Sequence, residues 1–180
     1  IPSRLADDLF RHDLDVAIIS SVEYHRHRDI FKYYPDLCIA AKGSVESIRL
    51  YLHENISASS DDLPGWLKSR KNLRVYYDVA TRSSLSMLKV LLSEYCHDDC
   101  LAQGLEFVQV NPPYERLIGA LSEDEVVLLI GDSALEFKDT ASVDMGQFYE
   151  QTFQRAFVYA IWVYRNDTGE GARDILLNAY

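Results

Sequence analysis

Apolar runs broken by polar turns organise this chain, and their period changes from place to place. Residues 4–11 carry Leu5, Ala6, Leu9 and Phe10, the spacing of a short amphipathic helix that ends near His12. VAIISS, after Asp15, is a continuous apolar run closing in Ser20 and Ser21, which predicts a buried strand of the parallel-sheet type. YYPDLCIAA predicts another strand, broken at Lys42-Gly43, and the alternation through SVESIRLYLH predicts a third. ENISASSDDLPGW, rich in Ser, Asp, Pro and Gly, reads as a linker, with a turn of helix over residues 66–69 beyond it.

From Leu73 the pattern sharpens into strand LRVYYDV, helix SSLSMLKVLLSEYC, strand LEFVQV, a Pro-Pro break, short helix YERLIGAL, acidic turn SEDE and strand VVLLIGD. This succession predicts an α/β fold with a parallel β-α-β-α-β unit and right-handed crossovers. A polar segment, EFKDTASVDMG, then leads to a helix near residues 147–153, the long strand AFVYAIWVYR and the start of a helix in ARDILLNAY. The layout that accommodates these elements puts residues 1–50 and 155–180 in one lobe and 72–135 in another, with 51–71 and 136–154 connecting them. Ligands of open α/β sheets bind beyond the carboxyl ends of the strands, so the expected cleft is bordered by Ser20, Ser21, Ser47, the corner from Asp78 to Ser84, and Gly131-Asp132.

Charge narrows the ligand. The 180 residues hold 18 Lys and Arg against 28 Asp and Glu, a net charge of -10 that repels phosphate backbones and anionic membrane surfaces. Nucleic acid and membrane are therefore not expected partners, and a small anion would have to be held by local donors. No apolar window approaches the ~20 residues that span a bilayer, and the start, IPSRLADDLFRHD, has no export-signal pattern, so the expectation is a soluble chain. Three cysteines, Cys38, Cys96 and Cys100, suit a reducing compartment. CHDDC, residues 96–100, lacks the further ligands that zinc would need and reads as a solvated helix terminus; no metal site is expected.

The corner YYDVATRSSLSMLK, residues 76–89, crowds Asp78, Thr81, Arg82, Ser83 and Ser84 at a strand-to-helix junction. A helix N-terminus presents backbone N–H groups and a partial positive charge, to which these hydroxyls and the guanidinium fork of Arg82 would add donors for a carboxylate. Ordinary capping is the alternative, but one hydroxyl suffices for that. Ser21 likewise reads either as the start of a helix with Glu23 in its first turn or as a cleft-lining donor, and Gly131-Asp132 as a turn or as a ligand-orienting pair. No G-x-S-x-G, H-E-x-x-H, Walker or G-x-G-x-x-G motif occurs.

Taken together, LDVAIISSVEY, PDLCIAAKGSVESIRLYL, YYDVATRSSLSMLKVLL, LLIGDSAL and AFVYAIWVYR resemble, in order and spacing, the chorismate dehydratase family of the futalosine route to menaquinone. The resemblance implies a two-lobed fold like the type II periplasmic binding proteins, adapted to a cytoplasmic enzyme. It also implies removal of water from chorismate, giving 3-[(1-carboxyvinyl)oxy]benzoate, without metal or organic cofactor. Ser20, Ser21, Ser47, Thr81, Ser83 and Ser84 would then contact substrate carboxylates, Arg82 would bind or buttress, and Asp132 would orient the substrate or the corner. The family's first strand, with its Ser-Tyr-Leu-Asn motif and active-site Asn, and its C-terminal helices have no counterpart here, so the expectation is a fold truncated at both ends. At the corner, the family's Asp-Thr-Ser-Ser-Arg-Thr-Ser becomes Asp78-Val79-Ala80-Thr81-Arg82-Ser83-Ser84, with two hydroxyls lost at Val79 and Ala80. Two other functions share this outline. A 1,4-dihydroxy-6-naphthoate synthase would need a cleft histidine, which none of His12, His25, His27, His53 and His97 is placed to supply, and a solute-binding protein would hold an anion without chemistry.

Overall fold

A computed structural model describes residues 2–96, 98, 100–137, 139–169, 171 and 174. Its elements begin with α1 (Pro2–Phe10), β1 (Val16–Ser20), α2 (Ser21–Arg26), β2 (Phe31–Ala41), β3 (Ile48–Tyr51) and α3 (Leu63–Lys68). Next come β4 (Leu73–Asp78), α4 (Arg82–Tyr95), a π-helical turn (Cys100–Gly104), β5 (Leu105–Val110) and α5 (Glu115–Ile118). The order closes with β6 (Glu125–Ile130), α6 (Asp132–Glu136), β7 (Ser142–Asp144), α7 (Met145–Phe153) and β8 (Phe157–Arg165). The helix expected over residues 172–180 lies, but for Asp174, outside the described residues.

The chain divides into two compact units, residues 1–40 with 158–180, and residues 41–157. In the smaller unit β8 lies between β1 and β2. It pairs antiparallel with β1, from Val16 opposite Tyr164 to Ser20 opposite Ala160, so VAIISS is not the parallel-type strand its continuous apolar run predicts: it buries alternate residues, one face on the core. Strand alternation turns Ala17 and Ile19 inward, where they meet Ala6 and Leu9 of α1, Phe31 and Val163 in one apolar cluster. This contact explains why the short N-terminal helix forms: its apolar stripe has a sheet to cover.

The larger unit is a five-stranded sheet in the order β5-β4-β6-β3-β7. β4 pairs parallel with both β5 and β6, while β3 runs antiparallel to β6 and to β7. The uninterrupted apolar run of β6 is the mark of a central strand, and Val126, Val127, Leu128 and Leu129 are all fully buried. On one face Val127 and Leu129 join Tyr51, Tyr114, Ile118, Leu121 and Ala134, so α5 and α6 cover that side. On α4 the buried Ser84, Met87, Leu88, Leu91 and Leu92 recur at helical spacing, and α4 packs on α3 and α7.

The sequence pattern would leave residues 41–50 in the first lobe and treat 51–71 and 136–154 as connections. All of these residues fall within the larger unit, because β3 and β7 are strands of its sheet. β7 is too short and too polar to show as a strand in sequence, and it exists by pairing Ser142, Val143 and Asp144 with Tyr51, Leu50 and Arg49. Among the described residues no helix is long and apolar enough to cross a membrane.

The π-helical turn brings Gly104 against the segment that enters β4. A Cβ there would lie 1.9 Å from the Lys71 carbonyl oxygen and 2.9 Å from its carbon. Backbone cannot yield as a flexible side chain does, so Gly104→Ala should lower stability by about 1–3 kcal/mol in urea unfolding. An unchanged midpoint would show that the turn is looser than described.

Candidate functional site

The sheet order brings most of the polar strand ends to one edge of the larger unit. From β4 the chain moves through α4 to β5 on one side, then through α5 to β6 on the other, so the carboxyl ends of β4 and β6 flank a topological switch point. β3 begins at this same edge, with Ile48 opposite Ile130, and the Gly131 N–H donates to the Ser47 carbonyl at 2.7 Å. Ser47, the corner Asp78–Ser84 and Asp132 therefore share one edge. Gly131 has φ +63°, a conformation that a side chain would strain, and it turns the end of β6 directly into α6. Asp132, which the sequence leaves as either a strand-end turn or a ligand-orienting residue, is the exposed first residue of that helix.

The corner is built around the Asp78 carboxylate. Its Oδ1 accepts the Ala80 N–H at 2.6 Å, and its Oδ2 accepts the Tyr114 hydroxyl. Tyr114 is buried, and burial first, then the adjacent carboxylate, pushes its phenol well above the ordinary tyrosine range. With both oxygens engaged, Asp78 holds the turn in shape and is not set up as a free base.

Thr81 occupies the cap position of α4 but does not cap it. Its hydroxyl turns back to the Asp78 carbonyl at 2.5 Å and makes no cap bond to the helix N-terminus. The helix ladder starts with the Leu85 N–H on the Thr81 carbonyl at 2.8 Å. Ser83 and Ser84 are both buried, and Ser84 is only 4% exposed. The Ser84 hydroxyl makes no hydrogen bond to a described residue, and among the described residues no sealed side-chain polar atom lacks a partner, so its oxygen is within reach of solvent. Arg82, half-buried, opens the helix. This is a helix start whose dipole and Ser84 hydroxyl are left for something else to satisfy.

Ser20 and Ser21 stand in the smaller unit, at the end of β1 and the start of α2. Ser20 is the residue before the helix and does not cap it through its side chain. The Ser21 hydroxyl donates to the Val158 carbonyl at 2.7 Å, tying α2 to β8. A hydroxyl has one proton to give, so in this arrangement neither Ser21 nor Thr81 offers one to a ligand. Glu23, in the first turn as the sequence suggests, is buried and pairs with Arg26 at 3.0 Å.

Tyr114 is the participant that sequence reasoning misses. It precedes the apolar pattern of α5 and reads as part of a short helix, whereas its hydroxyl belongs to the corner 36 residues earlier. The only available signal is a tyrosine directly after the Pro-Pro break that ends a parallel strand. Cys96 and Cys100 are buried; burial and the neighbouring Cys100 push the Cys96 thiol up to about 12, so it stays protonated near neutrality. His97 and Asp99 of the same segment lie outside the described residues, and among the described residues no cluster of three or more His, Cys, Asp or Glu could hold a metal.

Comparison with known proteins adds an independent line. The profile of the menaquinone biosynthesis family matches residues 1–180. A curated chorismate dehydratase from Thermus thermophilus is 26% identical over 189 residues, covering 93% of this chain. The chain spans 60% of that relative's length. A crystal structure of an Archaeoglobus fulgidus protein superposes with a TM-score of 0.63 at 17% identity, over 99% of this chain and 60% of its own, a likeness of fold. An ABC-type phosphate transport receptor from Vibrio cholerae matches more distantly, with a TM-score of 0.47 at 10% identity over 98% of this chain and 78% of its own.

The tie between Tyr114 and Asp78 has a measurable consequence. Tyr114→Phe leaves a carboxylate oxygen without its donor and should cost about 1–3 kcal/mol of stability. Because folding raises the phenol above its ordinary value of 10.0, the tie contributes fully below that pH and is lost as pH climbs through the higher folded value. The stability gap between wild type and variant, measured by urea unfolding, should be flat up to about pH 10 and narrow above it. A gap already absent at pH 7 would mean that the bond does not hold the corner.

Proposed function

The chain belongs to the menaquinone biosynthesis family, and on that footing we propose that the protein is a chorismate dehydratase, a carbon–oxygen lyase that converts chorismate to 3-[(1-carboxyvinyl)oxy]benzoate and water. The observation that carries this reading is the start of α4, which Thr81 does not cap and where the Ser84 hydroxyl stays unengaged at the switch point of the sheet. The dehydratase relative from Thermus thermophilus supports it from the side of sequence.

Chorismate carries a ring carboxylate and an enolpyruvyl carboxylate. On a chain with net charge -10, recognition of such a dianion requires concentrated local donors. The backbone dipole of α4, the Ser83 and Ser84 hydroxyls and Arg82 supply them for one carboxylate, with Ser47 and Asp132 on the same edge to orient the remainder. In the reaction a ring C–H bond breaks, its electron pair forms the new ring double bond, and the ring hydroxyl departs. The proton released at carbon is taken by the substrate's own enolpyruvyl carboxylate and leaves with the hydroxyl as water, so no group on the protein is consumed. Aromatisation drives the step, and the protein contributes orientation and stabilisation of developing charge. A cytoplasmic location and independence of metal and organic cofactor accompany this reading, as the family resemblance implies.

Among the described residues of the larger unit, the histidine demanded by a naphthoate synthase gains no support. His53 follows the carboxyl end of β3, which runs antiparallel to β6 and so ends at the opposite edge from the corner.

Incubation of the intact protein with chorismate should yield the aromatic product, and Ser84→Ala should lower kcat/KM about 10- to 100-fold, the loss of a charge-assisted hydrogen bond. An analogue lacking the enolpyruvyl carboxylate should bind but not turn over. Chorismate bound yet unchanged would instead favour a non-catalytic binding protein. Wild-type kinetics in Ser84→Ala would remove the corner from the mechanism, and full turnover of the analogue would remove the substrate carboxylate as base.

A further inference from the structure

Two strands from the corner, past β6 and β3, the larger unit has a groove of about 440 Å³ whose lining includes Ser44, Arg49, Ser60, Ser142 and Gln147. We propose that this groove is a second anion-binding site, taking a small oxyanion of the carboxylate or phosphate class on the guanidinium of Arg49. Arg49 spends two of its donors on one residue, Nε to the Ser142 hydroxyl at 2.8 Å and a terminal nitrogen to the Ser142 carbonyl at 3.2 Å. A guanidinium has five donors, so three remain. It has no ion pair to a carboxylate among the described residues, whereas Arg11, Arg26, Arg70, Arg74 and Arg165 each have one. In a chain with 28 acidic residues to 18 basic ones, the missing partner is not a matter of scarcity.

The acid opposite Arg49 in the strand pairing, which also lines the groove, is already committed. Asp144, across the β3–β7 register from Arg49, accepts the Ser44 hydroxyl at 2.7 Å and the N–H groups of Glu46 at 2.7 Å, Val45 at 3.0 Å and Gln147 at 2.9 Å. Burial opposes its charge, but these donors outweigh burial and hold its carboxyl below the usual range. Glu46, also in the lining, is exposed, and its backbone is held at φ +53° by the same carboxylate. That conformation is strained for a side-chain-bearing residue. The groove therefore keeps its cation on offer and its buried anion neutralised by local donors; the Ser44 and Ser142 hydroxyls donate to Asp144 and to the Thr140 carbonyl, which leaves Ser60 and Gln147 in the lining to add donors beside the guanidinium.

The test is a two-dimensional NMR titration of the intact, isotope-labelled protein with inorganic phosphate and, separately, with succinate. The Arg49 Nε–H and the amides of Ser60 and Ser142 should shift and saturate with at least one probe, phosphate alone marking a phosphate site and succinate alone a carboxylate site. Arg49→Gln should weaken that binding at least about tenfold. Ser60→Glu, which leaves the Arg49–Ser142 bonds in place and adds a like charge to the groove, should do the same and guards against a folding defect in the first variant. Absence of saturable shifts at these positions with both probes, or equal binding in both variants, would overturn the proposal. Shifts confined to Ser83–Leu85 would overturn it too, since they would report only the α4 corner.

Discussion

The carboxylate of Asp78 sets the geometry on which the candidate site depends. It sits where β4 ends, reaches forward to the Ala80 N–H and sideways to the Tyr114 hydroxyl, and so fixes the turn against the segment that follows β5. Thr81 adds the return bond from its hydroxyl to the Asp78 carbonyl. Once these bonds are made, the direction of α4 is settled and its first turn cannot be capped by its own hydroxyl. The open helix start follows from a tight corner, because the group that would have closed it is used to hold the strand end.

The same economy recurs at the other end of the sheet, where Asp144 gathers the loop before β3 and the start of α7 through one hydroxyl and three backbone N–H groups. An acidic chain can thus present basic surfaces locally: it turns key carboxylates inward as staples and leaves donors outward. Gly146 makes this second staple possible, since a Cβ at that position would lie 2.5 Å from the Gly43 carbonyl oxygen. What matters is which charges are already spent.

Much of this architecture is written in the pattern of the chain. Continuous apolar runs mark β1, β6 and β8 as strands and the helical recurrence from Ser84 to Leu92 marks α4, yet only β6 is buried along its length; β1 buries alternate residues and β8 is largely half-buried. β7 leaves no such mark: SVD is buried as a strand only through its pairing with β3. α6 is equally hidden, as five residues after a glycine look like a turn. At the site, the corner stands out by its crowding of polar residues, yet the fate of each hydroxyl does not. That Ser21 bonds a carbonyl 137 positions away, and that Thr81 turns backward, depend on tertiary contacts that no local spacing encodes. Tyr114 illustrates the same limit, since its apolar ring accounts for its position in sequence while its hydroxyl accounts for its place in the corner.

The central claim is that a substrate carboxylate completes the uncapped start of α4. A crystal structure of the intact protein with its aromatic product bound tests this most directly. The account predicts a carboxylate oxygen about 2.7–3.1 Å from the Ser84 hydroxyl and from an N–H of the first turn of α4. Product bound with both carboxylates away from that turn would contradict it.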